Sequence, residues 1–332
     1  MFSYKKVAIS LVTWNGEKYL EALMSSIFTQ TFKDFEILVI DNGSSDGTVA
    51  FFEKNYPQIK LIKNQKNLGF AKGHNLGIDQ SPSDYVLILN QDVILEPDFL
   101  AQLVEFMDKN KKTGLAGGKL LKLKDKGKTK IIDSVGQKIF RTHQVVEMGT
   151  GEEDHGQYDK SSQVFGVSAT IPLYRRLALE DVKIDKEYFD EDFFSYKEDI
   201  DLNYRLRLYG WEIWYLPRAI AYHDRSAQGV KAGFNFSMIS YRRKKSEFIK
   251  FHSYKNHWFI LIKNLTWYNF FWLFPYIFIY ELTKFFYLLF FETKTFKDVP
   301  IIFQKLPAMV KKRKIIMKNK KISNKELFRW FE

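Results

Sequence analysis

Phe35-Glu-Ile-Leu-Val-Ile-Asp-Asn-Gly-Ser-Ser-Asp-Gly47 is the stretch on which the fold turns. Its first six residues have the apolar, β-branched composition of a short buried strand. The strand runs directly into Asp41 to Gly47, a turn and helix-capping sequence. The neighbouring segments repeat the theme. Val7 to Val12 reads as a strand ending in Thr13-Trp-Asn-Gly-Glu17, and Gly16 to Phe28 has apolar residues at Leu20, Leu23, Met24 and Ile27, a helical spacing. Thr48 to Asn55 reads as a second helix and Ile59 to Ile62 as a third strand. After the Gly-rich stretch Leu68 to Gly77, Tyr85 to Leu89 is a fourth strand ending in Asn90-Gln91-Asp92. Pro97 to Met107 is a further helix with Pro in its first turn. Strands alternating with helices imply a mainly parallel sheet flanked by helices, with ligands at the strands' carboxyl ends.

Beyond residue 113 the pattern loosens. Lys119 to Lys138 is rich in Lys and Gly and is expected to include an exposed loop. Val164 to Leu173 is strand-like but broken by Gly166. Asp199 to Tyr209 reads as a helix stopped by Gly210, the usual residue after a helix end. Trp211 to Leu216 and Ala219 to Tyr222 read as two short strands split by Pro217.

The chain has 332 residues, enough for one large domain or a domain with an appendage, and no cysteine. A disulfide scaffold, a thiolate zinc site and a cysteine nucleophile are therefore excluded. The apolar run after Lys5 and Lys6 is too short for a signal peptide. The net charge is +12, unevenly spread: residues 239–332 carry 20 basic and 6 acidic side chains, the rest 31 and 33. Such asymmetry points to an anionic partner for the last third. A nucleic acid fits poorly, because the rest of the chain is slightly acidic. Asn264 to Tyr280 is uncharged, with five Phe or Trp between Trp267 and Phe274, and is interrupted by Pro275. Rich in Trp and Tyr, polar at Asn264, Thr266 and Asn269, it suits the headgroup region of a membrane better than a crossing. A buried aromatic helix pair is the competing reading. Eight basic residues and no acid between Lys311 and Lys325 suit anionic lipids.

Four polar clusters stand at the expected active edge: Thr13 to Glu17, Asp41 to Gly47, Asn67 to Gly77, and Asn90 to Asp92. Each alone is explained by turns, caps or glycine packing; four together are the expected rim of a nucleotide site. Asp41 can accept the N3–H of uracil or thymine. Lys72 and amides near Gly73 suit phosphate oxygens. Asp92 suits a divalent cation that takes its other ligands from water and phosphate. Neither a P-loop nor a Gly-x-Gly-x-x-Gly fingerprint occurs. Glu198 and Asp199 open a helix; acids there satisfy free amides, or supply a general base. His223, beside Asp224 and Arg225, is a structural residue, a metal ligand or a phosphate contact.

Residues 7–225 resemble family 2 glycosyltransferases of the GT-A fold, and most closely the rhamnosyltransferase-like branch of bacterial surface polysaccharide synthesis. The resemblance rests on Val12 to Gly16, Val39 to Gly47, Asn67 to Gly77, Leu89 to Val93, and Asp192 to Leu202 through Gly210-Trp211. It implies a nucleoside pocket lined by Thr13, Asn15, Glu17 and Asp41, with Asn67, Lys72, Gly73 and Asn75 around ribose and phosphates. Asn90 and Gln91 would join the donor site. Asp92 would be the metal-binding acid of an Asp-x-Asp motif whose first position is here Asn90, and His223 would lie near the metal and diphosphate. Asp199 would be the catalytic base, oriented by Glu198, which otherwise contacts the acceptor. The implied activity is inverting, Mg2+- or Mn2+-dependent transfer of rhamnose or a similar sugar from a dTDP- or UDP-linked donor to a glycan or lipid-linked acceptor. A sugar nucleotidyltransferase and an inactive membrane-docked binding module are the rivals. The expected layout is a transferase domain over 1–235, divided at 110/111 into nucleotide and acceptor halves. Residues 236–332 would form a helical region bound peripherally to the cytoplasmic face of the membrane.

Overall fold

The computed structural model describes residues 4–124, 127–224, 242 and 245–332. The first four long strands, β1 (Val7–Thr13), β2 (Phe35–Asp41), β3 (Lys60–Lys63) and β4 (Tyr85–Asn90), form a parallel array in the order β3-β2-β1-β4. Helices α1 (Glu17–Phe28), α2 (Thr48–Asn55) and α3 (Gly69–Asp79) connect them. The pleat sorts the side chains: in β4, Leu87 and Leu89 enter one core while Val86 and Ile88 enter the other.

The sheet continues as a mixed array through β5 (Val93–Leu95), α4 (Phe99–Lys109), β6 (Thr113–Lys124) and β7 (Gly127–Ser134). Short strands β8 (Gln137–Ile139) and β9 (Val145–Glu147) pair apart from it. Then come β10 (Ser162–Gln163), β11 (Leu173–Arg175), α5 (Arg176–Val182), α6 (Glu198–Leu208) and β12 (Glu212–His223). The main sheet reads β10-β12-β6-β11-β4-β1-β2-β3, with β11 antiparallel between β4 and β6.

Two local expectations are corrected, at Val164 to Leu173 and at Pro217, while the exposed loop expected within Lys119 to Lys138 has exposed residues at Lys124, Gly127 and Lys128 beside 125–126, which lie outside the described residues. The Gly-rich stretch is helix α3, because Gly73 and Gly77 recur on one face and let it press onto the sheet: a Cβ on Gly77 would meet Ser10 Oγ at 2.3 Å. Lys119 to Lys138 is mostly sheet: β6 is walled by β11 and β12, so its first nine residues are buried. Val164 to Leu173 is apolar and buried but largely not a strand, and its backbone bonds outward to Ile213, Asn90 and Ile88. The two strands split by Pro217 are one strand, β12, with a register shift between Leu216 and Ile220 that absorbs the missing amide.

The C-terminal helices are α7 (Glu247–Asn264), α8 (Trp267–Phe291), α9 (Thr293–Lys297), α10 (Pro300–Lys318) and α11 (Asn324–Phe328). Phe259, Leu288, Met309 and Phe331 share one core with Tyr204 and Leu206 of α6. A buried charge cluster joins them further. Lys263 Nζ lies 2.8 Å from Asp201 Oδ1 and also bonds Asp190; Arg205 Nε reaches Asp201 Oδ2 at 3.0 Å. Lys312 of α10 bonds Asp190, Asp192 and Glu187. The expected boundary at 235/236 lies outside the described residues. Among those residues α8 is the one helix long and apolar enough to cross a membrane.

Candidate active site

The residues expected to face the nucleotide brace one another across the carboxyl ends of β1 and β2. Asp41, 2% exposed, accepts from Thr13 Oγ1 at 3.4 Å, from the amides of Gly43 and Ser44 at 3.1 and 3.0 Å, and from the Ser44 hydroxyl. Asn15 Oδ1 accepts from the Ser45 amide at 2.8 Å, and Glu17 Oε2 from the Gly47 amide at 3.0 Å. Gln91 clasps the exposed Trp14 at both its amide and its carbonyl. These residues fix the loop before α2. Asp41 has its acceptor positions occupied, so a pyrimidine N3–H reaches it only when the Ser44 hydroxyl turns aside.

Three residues expected around ribose and phosphate are engaged otherwise. Gly73 is buried in α3, where a Cβ would lie 3.1 Å from Val12. Asn75 is buried, donating to the Phe189 carbonyl at 2.8 Å and accepting from the Phe189 amide at 2.9 Å. Lys72 pairs with Glu191 at 3.0 Å but stays exposed. Gly73 and Asn75 are thus packing and bracing residues, a correction that follows from the helical form of this stretch. Asn67 Oδ1 accepts from the Gly69 amide at 2.8 Å and shapes the turn into α3.

At the end of β4, Asp92 meets the end of β12. His223 Nε2 lies 3.4 Å from Asp92 Oδ2, and its Nδ1 lies 2.9 Å from Oδ2 of the buried Asp133 on β7. Burial alone would lower the His223 pKa, but hydrogen bonds and charge from Asp133 and Asp92 push it up to about 9. A carboxylate holding one imidazole nitrogen while the other faces an acid is the pattern that orients metal-ligating histidines. Asp92 and His223 therefore suit two positions around a hard divalent cation when the ring gives up its Nε2 proton, with water and phosphate oxygens completing it. Among the described residues no group of three or more His, Asp or Glu is arranged to hold a metal by itself.

The acids at the start of α6 lie on the same rim. Asp199 Oδ2 accepts from the Ala169 amide at 3.3 Å, and the next carbonyl, Thr170, accepts from the Asn90 amide at 3.1 Å, two residues before Asp92. Glu198 is buried with Oε2 unpartnered; burial first, then the Asp199 charge, raise its pKa to about 8, so it is protonated at neutral pH. The loop feeding this pair is strained: Phe194, Tyr196 and Lys197 have φ of 65°, 71° and 67° without being glycine. Asn256 of α7 holds it, donating to the carbonyls of Phe193, Ser195 and Tyr196 at 3.0, 2.9 and 2.6 Å.

Sequence reasoning missed Asp133 and Gln137, because both lie in a Lys- and Gly-rich stretch expected to include an exposed loop. The available signal was an acid inside the apolar run Ile131-Ile-Asp-Ser-Val135, an arrangement that needs a buried partner.

Comparison with known proteins completes the description. The model for glycosyl transferase family 2 matches residues 9–183. Poly-beta-1,6-N-acetyl-D-glucosamine synthase of Staphylococcus epidermidis is 27% identical over 223 residues, 65% of this chain and 49% of that protein. This chain thus spans about half the length of that relative. N-acetylglucosaminyl-diphospho-decaprenol L-rhamnosyltransferase of Mycobacterium tuberculosis is 27% identical over 237 residues, covering 65% of this chain and 75% of its own. Among solved structures, GalNAc-T7 with UDP, GalNAc and Mn2+ superposes with a TM-score of 0.59 at 12% identity, covering 78% of this chain and 48% of that one. S. aureus TarS 1-349 with UDP-GlcNAc gives 0.51 at 18% identity, covering 79% and 68%. These likenesses establish a shared fold.

Proposed function

The chain belongs to glycosyltransferase family 2, and from that premise we propose an inverting enzyme that moves a sugar from a nucleoside diphosphate to an acceptor hydroxyl in surface polysaccharide synthesis. The observation that carries the proposal is the single rim shared by Asp199 and Asp92 through Ala169, Thr170 and Asn90. Asp199 takes the proton from the acceptor hydroxyl. The oxygen attacks the anomeric carbon from the face opposite the diphosphate, the carbon–diphosphate bond breaks, and the nucleoside diphosphate departs. One displacement inverts the anomeric centre and needs no protein nucleophile. Asp92 and His223 would hold Mg2+ or Mn2+, which supplies charge neutralisation for the departing diphosphate. Lys72 can exchange Glu191 for a phosphate oxygen, and neutral Glu198 can donate to the acceptor.

The donor is a UDP- or dTDP-linked sugar, rhamnose among the candidates, and the acceptor is a glycan or a lipid-linked sugar at the cytoplasmic face. Helix α8 supports the membrane side of this reading. Its inward face carries Asn269, Glu281 and Lys284, while Trp267, Phe271 and Phe290 stand outward, each about 70% exposed. An apolar surface of this extent is unusual for a chain surrounded by water. At 25 residues, about 37 Å, the helix could span a bilayer. Asn269, Glu281 and Lys284 are buried, Glu281 against His257 and Lys284 against Tyr254 of α7, so lying flat keeps them covered where crossing would not.

A thermal-shift comparison of UDP-GlcNAc and dTDP-rhamnose, each with and without Mn2+, tests the donor assignment. A rise in apparent stability that grows with Mn2+ is expected for the true donor class. No rise with any pyrimidine nucleotide sugar would overturn it.

A further inference from the structure

Gln137 opens β8 and is buried. Its Nε2 donates to Asp199 Oδ2 and to Glu147 Oε1, both at 3.0 Å, and its Oε1 accepts from Asn203 Nδ2 at 3.0 Å. The orientation of the amide follows from its partners: carboxylates accept, and the Asn203 amide nitrogen donates. The backbone is pinned as well, the Gln137 amide donating to the Gly166 carbonyl at 2.7 Å. Gly166 is required for this approach, since a Cβ there would lie 2.4 Å from Asn203 Nδ2 and 2.7 Å from Gln137 Oε1.

We propose that Gln137 is a positioning residue for Asp199, holding the carboxylate of the base in the plane from which it meets the acceptor hydroxyl. The inference rests on the reading of Asp199 as the base. Asp199 is held at both oxygens: Oδ2 by Gln137 and the Ala169 amide, Oδ1 by the Ile200 amide at 2.8 Å. The two amides belong to main chain that other elements already fix. Gln137 is the side chain that selects one rotamer, a neutral donor set between two acids. The titratable groups around Asp199 are Glu198 beside it, Glu147 across the Gln137 amide, and the buried Tyr174. Between these acids Gln137 offers the base a neutral N–H donor.

The strand that carries Gln137 is anchored from outside α6. Arg141 donates to Tyr276 OH at 3.1 Å and Gln144 to Tyr280 OH at 3.0 Å, both on α8. The Glu332 amide donates to the Ile139 carbonyl at 3.1 Å, and the Phe331 ring stacks on His143 at 5.0 Å. Helix α8 and the chain end therefore set the register from which Gln137 reaches the base.

The test uses the full chain and four variants, Gln137→Met, Gln137→Glu, Asp199→Asn and Gln137→Met with Asp199→Asn. Release of nucleoside diphosphate from UDP-GlcNAc and from dTDP-rhamnose is followed, together with the thermal shift given by UDP. Gln137→Met is expected to lower kcat roughly 10- to 100-fold, the scale of a misplaced reacting group. The donor KM and the UDP shift stay at wild-type values. Gln137→Glu, which keeps the acceptor for Asn203 but removes the donor, shows the same split and covers the case in which Met disturbs folding. Gln137→Met adds no further loss to Asp199→Asn. Unchanged kcat in both Gln137 variants, with Asp199→Asn inactive, overturns the positioning role and leaves the base assignment standing. Near-wild-type turnover in Asp199→Asn overturns the base itself.

Discussion

His223 Nδ1 on β12 lies 2.9 Å from Asp133 Oδ2 on β7, both strands pairing with β6, and the opposite ring nitrogen lies 3.4 Å from Asp92. One buried acid thus aims an imidazole at another acid on the rim where β4 ends.

From this relationship, Asp133→Ala removes the acceptor that fixes the ring. Mn2+ affinity in the presence of UDP should fall about 10- to 100-fold, as for other partners of metal-bound histidines. Calorimetric titration of Mn2+ into the UDP-bound chain checks it, and equal affinity in both proteins counts against Asp92 and His223 as ligands.

Lys263 is fully buried between Asp190 and Asp201. Burial works against ionised Asp190, but Lys263 and Lys312 hold its pKa well below the usual carboxylate range. Lys263→Ala removes the cation shared by two buried acids, leaving Asp201 with Arg205 and Asp190 with Lys312, and should cost about 3–5 kcal/mol. Urea unfolding checks this, and a loss under about 1 kcal/mol contradicts a coupled network.

Glu198 provides a pH signature. Its folded pKa, about 8, lies above the ordinary glutamate value of 4.5, so the folded chain holds a proton that the unfolded chain releases. Stability from this carboxyl is therefore lost as pH rises from about 4.5 to about 8. Glu198→Gln should match the wild-type melting temperature near pH 4.5 and exceed it by several degrees near pH 8, a difference read from thermal scans across that range. Parallel curves refute it.

Outward residues of α8 can be changed without touching the core. Phe271→Glu with Phe290→Glu should reduce flotation with anionic liposomes at least tenfold, since burying each Phe contributes about 1.5–3 kcal/mol. The UDP thermal shift should be unaltered. Removing residues 240–332 is a poor substitute, because Phe259 and Met309 belong to the shared core, Asp190 would lose Lys263 and Lys312, and Asp201 would lose Lys263.

The parallel half of the sheet was legible because each strand there is a continuous apolar run closed by polar turn residues. Thr48 to Asn55 is a helix with the bounds its pattern predicts. Asp92 was legible as a polar residue just past an apolar strand and Asp199 as an acid opening a helix, and hydrogen bonds through Ala169, Thr170 and Asn90 link their two segments. Asp133, Gln137 and Asn256 were not: each acts through a partner far away in sequence, and no local period marks a residue whose role is to hold another. The α3 glycines misled because spacing alone does not say whether a glycine admits a ligand or a neighbouring strand. Val164 to Leu173 misled because its side chains are buried as in a strand while its backbone bonds go elsewhere.

The central claim is that Asp199 removes the acceptor's proton on the rim where Asp92 and His223 meet the donor. The most direct measurement compares sugar transfer and UDP binding in Asp199→Asn and the wild-type chain. Transfer reduced by about a hundredfold or more, with UDP bound as tightly as before, is the predicted result. Transfer at near wild-type rate, or loss of UDP binding in step with activity, would contradict it.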